Sequence, residues 1–111
     1  MIIQKNSFIF KTDRPIKTVK ENNKFVKDVA RLLDMNIISG PHSKYISDKG
    51  NEGVSSVTII KTSHICVHSW DKISPGIMHL DIFSCKKFKV QKIKSFLKER
   101  FYITNITIKN G

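Results

Sequence analysis

Gly53-Val54-Ser55-Ser56-Val57-Thr58-Ile59-Ile60-Lys61-Thr62-Ser63-His64-Ile65-Cys66-Val67-His68-Ser69-Trp70 is the stretch that decides the fold. Its wealth of β-branched and aliphatic residues predicts two strands, Val54 to Lys61 and Ser63 to Ser69. No Gly, Pro or Asn separates them. The junction Lys61-Thr62-Ser63-His64 therefore lacks ordinary turn chemistry, and backbone strain or a function is expected there. His64, Cys66 and His68 recur at every second position, which places all three on one face of a strand.

Working outward, Asp71 to Gly76 carries Pro75-Gly76 and reads as a turn. Ile77 to Cys85 follows as a strand, with Ile77, His79, Asp81 and Phe83 on one side and Met78, Leu80, Ile82 and Ser84 on the other. Phe88 to Phe101 has the apolar stripe of an amphipathic helix in Val90, Ile93, Phe96, Leu97 and Phe101. Ile103 to Lys109 closes the chain as a strand. On the upstream side, Asn6 to Lys11 alternates as a first strand, which Asp13-Arg14-Pro15 ends. Ile16 to Leu33 forms a helix with Val19, Phe25, Val26, Val29, Leu32 and Leu33 on one face. A short strand is expected over Asn36 to Ser39, then a polar loop over Pro41 to Gly53 with a brief extended piece near Tyr45-Ile46. Two helices among sequential strands imply an α+β two-layer sandwich, a mostly antiparallel sheet with both helices on one face.

The 111 residues allow a single domain, 1–111, with one modest core, so a second subunit completing it is reasonable. Hydrophobic residues make up 40% of the chain, which argues against disorder. No apolar run approaches the roughly 20 residues of a membrane span, and the N-terminus is too short in its apolar part for a signal peptide. The expected compartment is the cytoplasm. A net charge of +11 raises the question of nucleic acid, yet all but three of the 20 basic residues are Lys. Base readers favour the bidentate Arg fork. The cluster Lys86, Lys87, Lys89, Lys92, Lys94, Lys98 and Arg100 reads as a solvated helix face, and no nucleic-acid partner is expected. Cys66 and Cys85 form no disulfide framework, and no His or Cys pair has zinc-site spacing. No metal is expected, and Cys66 reads as core.

The segment from Gly53 to Cys85 resembles the signature of the prokaryotic S-adenosylmethionine decarboxylases. In that family a Gly-x-Ser strand leads to a Glu-Ser-His turn, then a His-Thr-Trp segment and an Asp-x-Phe-Thr-Cys strand. Here these read Gly53-Val54-Ser55, Thr62-Ser63-His64, His68-Ser69-Trp70 and Asp81-Ile82-Phe83-Ser84-Cys85. The resemblance implies a pyruvoyl-dependent, self-processing proenzyme (a zymogen) acting on S-adenosylmethionine to supply the aminopropyl donor of spermidine biosynthesis. Ser63 would attack the Thr62 carbonyl in an N-to-O acyl shift. Autocatalytic cleavage between 62 and 63 would then leave a pyruvoyl group, derived from Ser63, as the cofactor that forms a Schiff base with the substrate amine. By the same resemblance His68 assists processing as a proton carrier and Ser55 stabilises oxyanion charge. Cys85 returns a proton to the α-carbon, Trp70 and Asp71 contact substrate, and the processed protomers form a homodimer. His64 is given a local structural role.

Some positions depart from the family pattern. Thr62 stands in place of Glu, Asp71-Lys72 in place of Pro-Glu, and Lys86 in place of Gly; the loop from Trp70 to Asp81 is about two residues longer than usual in the family. These bear on the substrate more than on the processing machinery. Two alternatives follow: a pyruvoyl-dependent decarboxylase of arginine or ornithine, or an unprocessed, non-catalytic regulatory homologue.

Overall fold

The computed structural model describes residues 1–110. Its elements run β1 (Gln4–Thr12), α1 (Val19–Leu32), β2 (Ile37–Ile46), β3 (Gly53–Ile60), β4 (Ser63–Trp70), β5 (Gly76–Ser84), α2 (Val90–Phe101) and β6 (Thr107–Asn110). All six strands join one antiparallel sheet in the order β2-β3-β4-β5-β1-β6. The predicted α+β sandwich is the observed architecture.

Both helices exist where the apolar periodicity puts them. Thr18 caps α1 by accepting the Glu21 N–H at 3.1 Å, while the Glu21 carboxylate accepts the Lys17 N–H at 3.0 Å. This reciprocal arrangement satisfies donors that a bare helix end would leave unpaired. Phe25, Val26 and Val29 from α1 meet Ile93, Leu97 and Phe101 from α2 over Phe8, Leu80 and Ile82 of the sheet, all buried. Phe25 lies at the centre, its ring 5.5 Å from Phe101 and 6.1 Å from Phe96. Burying such a side chain fully stabilises by about 1.5–3 kcal/mol.

The sequence reading falls short at β2, which continues through the expected loop to Ile46. Its pairing with β3 shifts register between Ile37 and Ser39 and again between Ser39 and His42. Gly40, at φ +106, supplies the left-handed backbone at this irregularity. Gly and Pro in a strand mark a bulge as readily as an end, and here Gly40-Pro41 bends the strand without stopping it. The last strand is shorter than predicted, because Ile103 to Ile106 serve as a connection.

With both helices on one side, the opposite face of the sheet is uncovered. It presents Ser55, Val57 and Ile59 from β3, His64, Cys66, His68 and Trp70 from β4, and Ile77, His79, Asp81 and Phe83 from β5. Val57 and Ile59 are 43% and 49% exposed, a substantial apolar area for a sheet facing water.

Candidate active site

The β3–β4 hairpin creates the first part of the site. Ile60 pairs with Ser63, so Lys61 and Thr62 alone form the turn. Two-residue hairpin turns favour Gly or Asn, because their backbone needs positive φ. Neither is present. Ser63, the residue that follows, takes φ +151 instead, a value L side chains rarely adopt. The strain expected at this junction is therefore present, on the serine itself.

The neighbouring strand end holds the junction in place. The Cys85 N–H donates to the Thr62 carbonyl at 2.9 Å. The Ser84 hydroxyl donates to Thr62 Oγ1 at 3.1 Å and accepts the Lys86 N–H at 2.9 Å. Ser84 is fully buried, which makes it a rigid support. A hydrogen bond to the Thr62 carbonyl oxygen draws charge from the carbonyl carbon, the atom adjacent to the Ser63 nitrogen. Cys85 is exposed beside it.

The second part lies on the open face. Ser55 and His68 are register partners on β3 and β4, and Ser55 Oγ lies 3.0 Å from His68 Nδ1. Burial, and after it the charge of His79, push the His68 imidazole below its ordinary value, against an opposing pull from Asp81. His68 is thereby favoured in its neutral form. Asp81 accepts a hydrogen bond from the Ser7 hydroxyl, and His79 Nε2 lies 3.6 Å from its Oδ1. Cys66 belongs to this face too. It is half-buried opposite Asp81 rather than packed in the core as expected, and burial together with that carboxylate pushes its thiol up. His64 stacks on Phe83 with ring centroids 5.4 Å apart, in keeping with a local structural role.

Within one chain these two parts stay separate. Ser63 and His68 are five residues apart on one extended strand, a spacing of about 16 Å. Trp70 lies further still along β4, and Asp71 directly follows its end. Trp70 Nε1 donates to Asn51 Oδ1 at 2.8 Å, and Asp71 accepts the Tyr45 hydroxyl at 2.9 Å. A surface depression of about 560 Å³ lined by Ile9, Lys11, Ile77, Tyr102 and Ile106 lies at the Trp70 end of the sheet, away from Ser63. Among the described residues no cluster of three His, Cys, Asp or Glu side chains could hold a metal ion, and no helix is long and apolar enough to cross a membrane.

Sequence reading missed Ser84, Ser7 and His79. Alternation places His79 beside Asp81 on one face of its strand, but cross-strand register, which brings it to His68, has no signature in the chain.

With this geometry in place, the family model described as S-adenosylmethionine decarboxylase matches residues 11–110. The chain belongs to the S-adenosylmethionine decarboxylase family. Among curated S-adenosylmethionine decarboxylase proenzymes, that of Clostridium botulinum strain Hall is 33% identical over 94 residues, covering 80% of this chain and 76% of the relative. The proenzyme of Sulfurisphaera tokodaii is 33% identical over 70 residues, covering 63% of this chain and 52% of its own length. The adenosylmethionine decarboxylase of Aquifex aeolicus shares the fold, with TM-score 0.70 at 15% identity, over 98% of this chain and 87% of that one.

Proposed function

We propose that this chain is a proenzyme that cleaves itself between Thr62 and Ser63 and then decarboxylates S-adenosylmethionine. The observation that carries the reading is the Thr62–Ser63 amide, whose carbonyl accepts the Cys85 N–H while Ser63 sits at strained φ. Attack of Ser63 Oγ on the Thr62 carbonyl carbon places negative charge on that oxygen, where the Cys85 N–H already donates. The C–N bond then breaks, the nitrogen takes a proton, and an ester replaces the amide. Loss of the Ser63 α-proton with departure of the Thr62 carboxylate opens the ester and leaves an unsaturated residue 63. Water replaces its nitrogen, released as ammonia, and a ketone remains.

Once formed, this pyruvoyl group supplies a carbonyl for the substrate amine and an electron sink for the carbanion left by loss of carbon dioxide. The residues present fit it: Ser63 is the precursor, and the exposed Cys85 is adjacent to hold the proton for the substrate α-carbon. The product is decarboxylated S-adenosylmethionine, an aminopropyl donor for spermidine.

The active unit in this reading is a homodimer with open sheet faces apposed. His68 and Ser55 lie too far from Ser63 of their own chain to act on it, while the uncovered face carries apolar Val57 and Ile59. A two-fold pairing lets each protomer's His68–Ser55 pair serve the other's Ser63. In the tautomer with Nδ1–H donated to Ser55 Oγ, His68 Nε2 keeps its lone pair to accept the Ser63 proton. The Ser55 hydroxyl proton is then free for the developing oxyanion.

Intact mass is the direct test. Two fragments, 1–62 and a carbonyl-bearing 63–111, are expected from the wild-type chain and one whole chain from S63A. A wild-type chain that stays whole under native conditions would support the regulatory reading instead. Release of carbon dioxide from carboxyl-labelled S-adenosylmethionine, arginine and ornithine assigns the substrate. Co-expressed S63A and H68A tests the dimer: cleavage of the H68A chain is expected only if His68 acts across the interface.

A further inference from the structure

One register row of the open face runs Ser55 on β3, His68 on β4, His79 on β5 and Ile9 on β1. The rings of His68 and His79 are 6.0 Å apart. His79 Nε2 is buried without a hydrogen-bond partner, and its 3.6 Å separation from Asp81 Oδ1 is too long for a hydrogen bond but suits an ion pair when the ring is protonated. The Ser7 hydroxyl donates to the same Asp81 oxygen and holds the carboxylate in place. A polar atom buried unpaired needs a physical reason, and this one sits beside the imidazole assigned to proton transfer.

We propose that His79, anchored by Asp81, is a positioning residue that in its protonated form disfavours a second positive charge on the neighbouring His68, leaving Nδ1 turned to Ser55 and Nε2 open to the Ser63 proton. The role assigned to Ser63 rests on the self-processing reading; the influence of His79 on His68 does not. The electrostatics of the row are simple. β4 contributes His68 opposite His79, with Cys66 and Trp70 on either side. β5 contributes Asp81. β1 places uncharged Ile9 opposite His79 and Ser7 opposite Asp81, with Lys11 one pair further on opposite Ile77. Lys11 is exposed, and exposed Lys44 faces Ser55 from β2, two strands away from His68, whereas His79 stands on the adjacent strand with its ring 6.0 Å from that of His68. Two cations at this spacing in a half-buried site disfavour each other, so a positive charge on one ring lowers the proton affinity of the other.

The test uses full-length S63A protein, which cannot process, with histidine-labelled NMR titration of His68. Replacement H79Q removes the charge and is expected to raise the His68 midpoint. H79K retains a cation and is expected to hold the midpoint near the starting value. If H79Q does not fold, H79A removes the same charge. An unmoved midpoint in the charge-removing variant, or an equal rise in H79K, overturns the proposal, since a merely structural role would not sort variants by charge. In chains with Ser63 intact, the acid limit of cleavage should rise in H79Q by the same amount. A wild-type chain that never cleaves defeats the processing reading, and the His68 titration still decides the part played by His79.

Discussion

The two faces of the sheet are built from alternate residues of the same strands, yet they obey different physics. On the covered side Phe8, Val54, Ile65, Val67, Leu80 and Ile82 are essentially inaccessible and lie against apolar helix residues. On the open side the intervening positions include Ser55, His64, His68 and Asp81, held by hydrogen bonds and stacking. Strand alternation allows one segment to secure the fold and expose chemistry together. Residues on the two sides should therefore fail in different assays.

The largest expected effect is at the hairpin corner: S63A abolishes cleavage and activity outright while leaving a folded chain, visible as one species by mass spectrometry. Next, H68A should slow cleavage by about 10²- to 10⁴-fold, the usual contribution of a positioned acid–base group, with an urea midpoint close to wild type. F25A reverses that pattern, costing about 3–5 kcal/mol in urea unfolding. Comparable loss of stability in H68A would break the division between the faces.

Acidity sharpens it. His68 is held below its ordinary value by burial and by His79, so it stays neutral at pH 7. Cleavage followed by gel should be constant there and fall only once the pH drops below the usual histidine range. An acid limit above that range would contradict the assignment of His68 as base.

The smallest effect belongs to the helix layer. Arg100 bonds Asp28 at 2.9 Å and lies over the rings of Phe25 and Phe96. The Arg100 hydrogen bond, opposed by burial, holds the Asp28 carboxyl below its usual range. A lowered carboxylate stabilises the native state above the unfolded-state pKa, and that contribution is lost as pH falls through the folded-state value. R100A should cost about 1 kcal/mol at neutral pH for this part-exposed pair, and the variant should show a smaller acid-side loss of stability in thermal melts.

Much of this was legible in the chain. The helices followed from the spacing of Phe25, Val29, Ile93 and Leu97, and both inner strands from runs of β-branched residues, because burial imposes a period that composition records. Strain at Thr62-Ser63 was readable from missing turn residues. The bulged β2 was not, since Gly40-Pro41 is the same punctuation whether a strand stops or bends. Nor was the Ser55–His68–His79 row, which depends on pairing between strands distant in sequence. Cys66 was read as core because a thiol is small and apolar, although the alternation that groups it with His64 and His68 already set it on their face.

The strand order also governs what a cut after Thr62 would leave behind. β1 belongs to the leading piece but is flanked by β5 and β6 of the trailing one, and β3 remains laddered to β4. The two polypeptides would be interleaved like clasped fingers, with every rung of the sheet intact. Such a cut would sever the covalent thread at a strained link without giving either half a route to drift away.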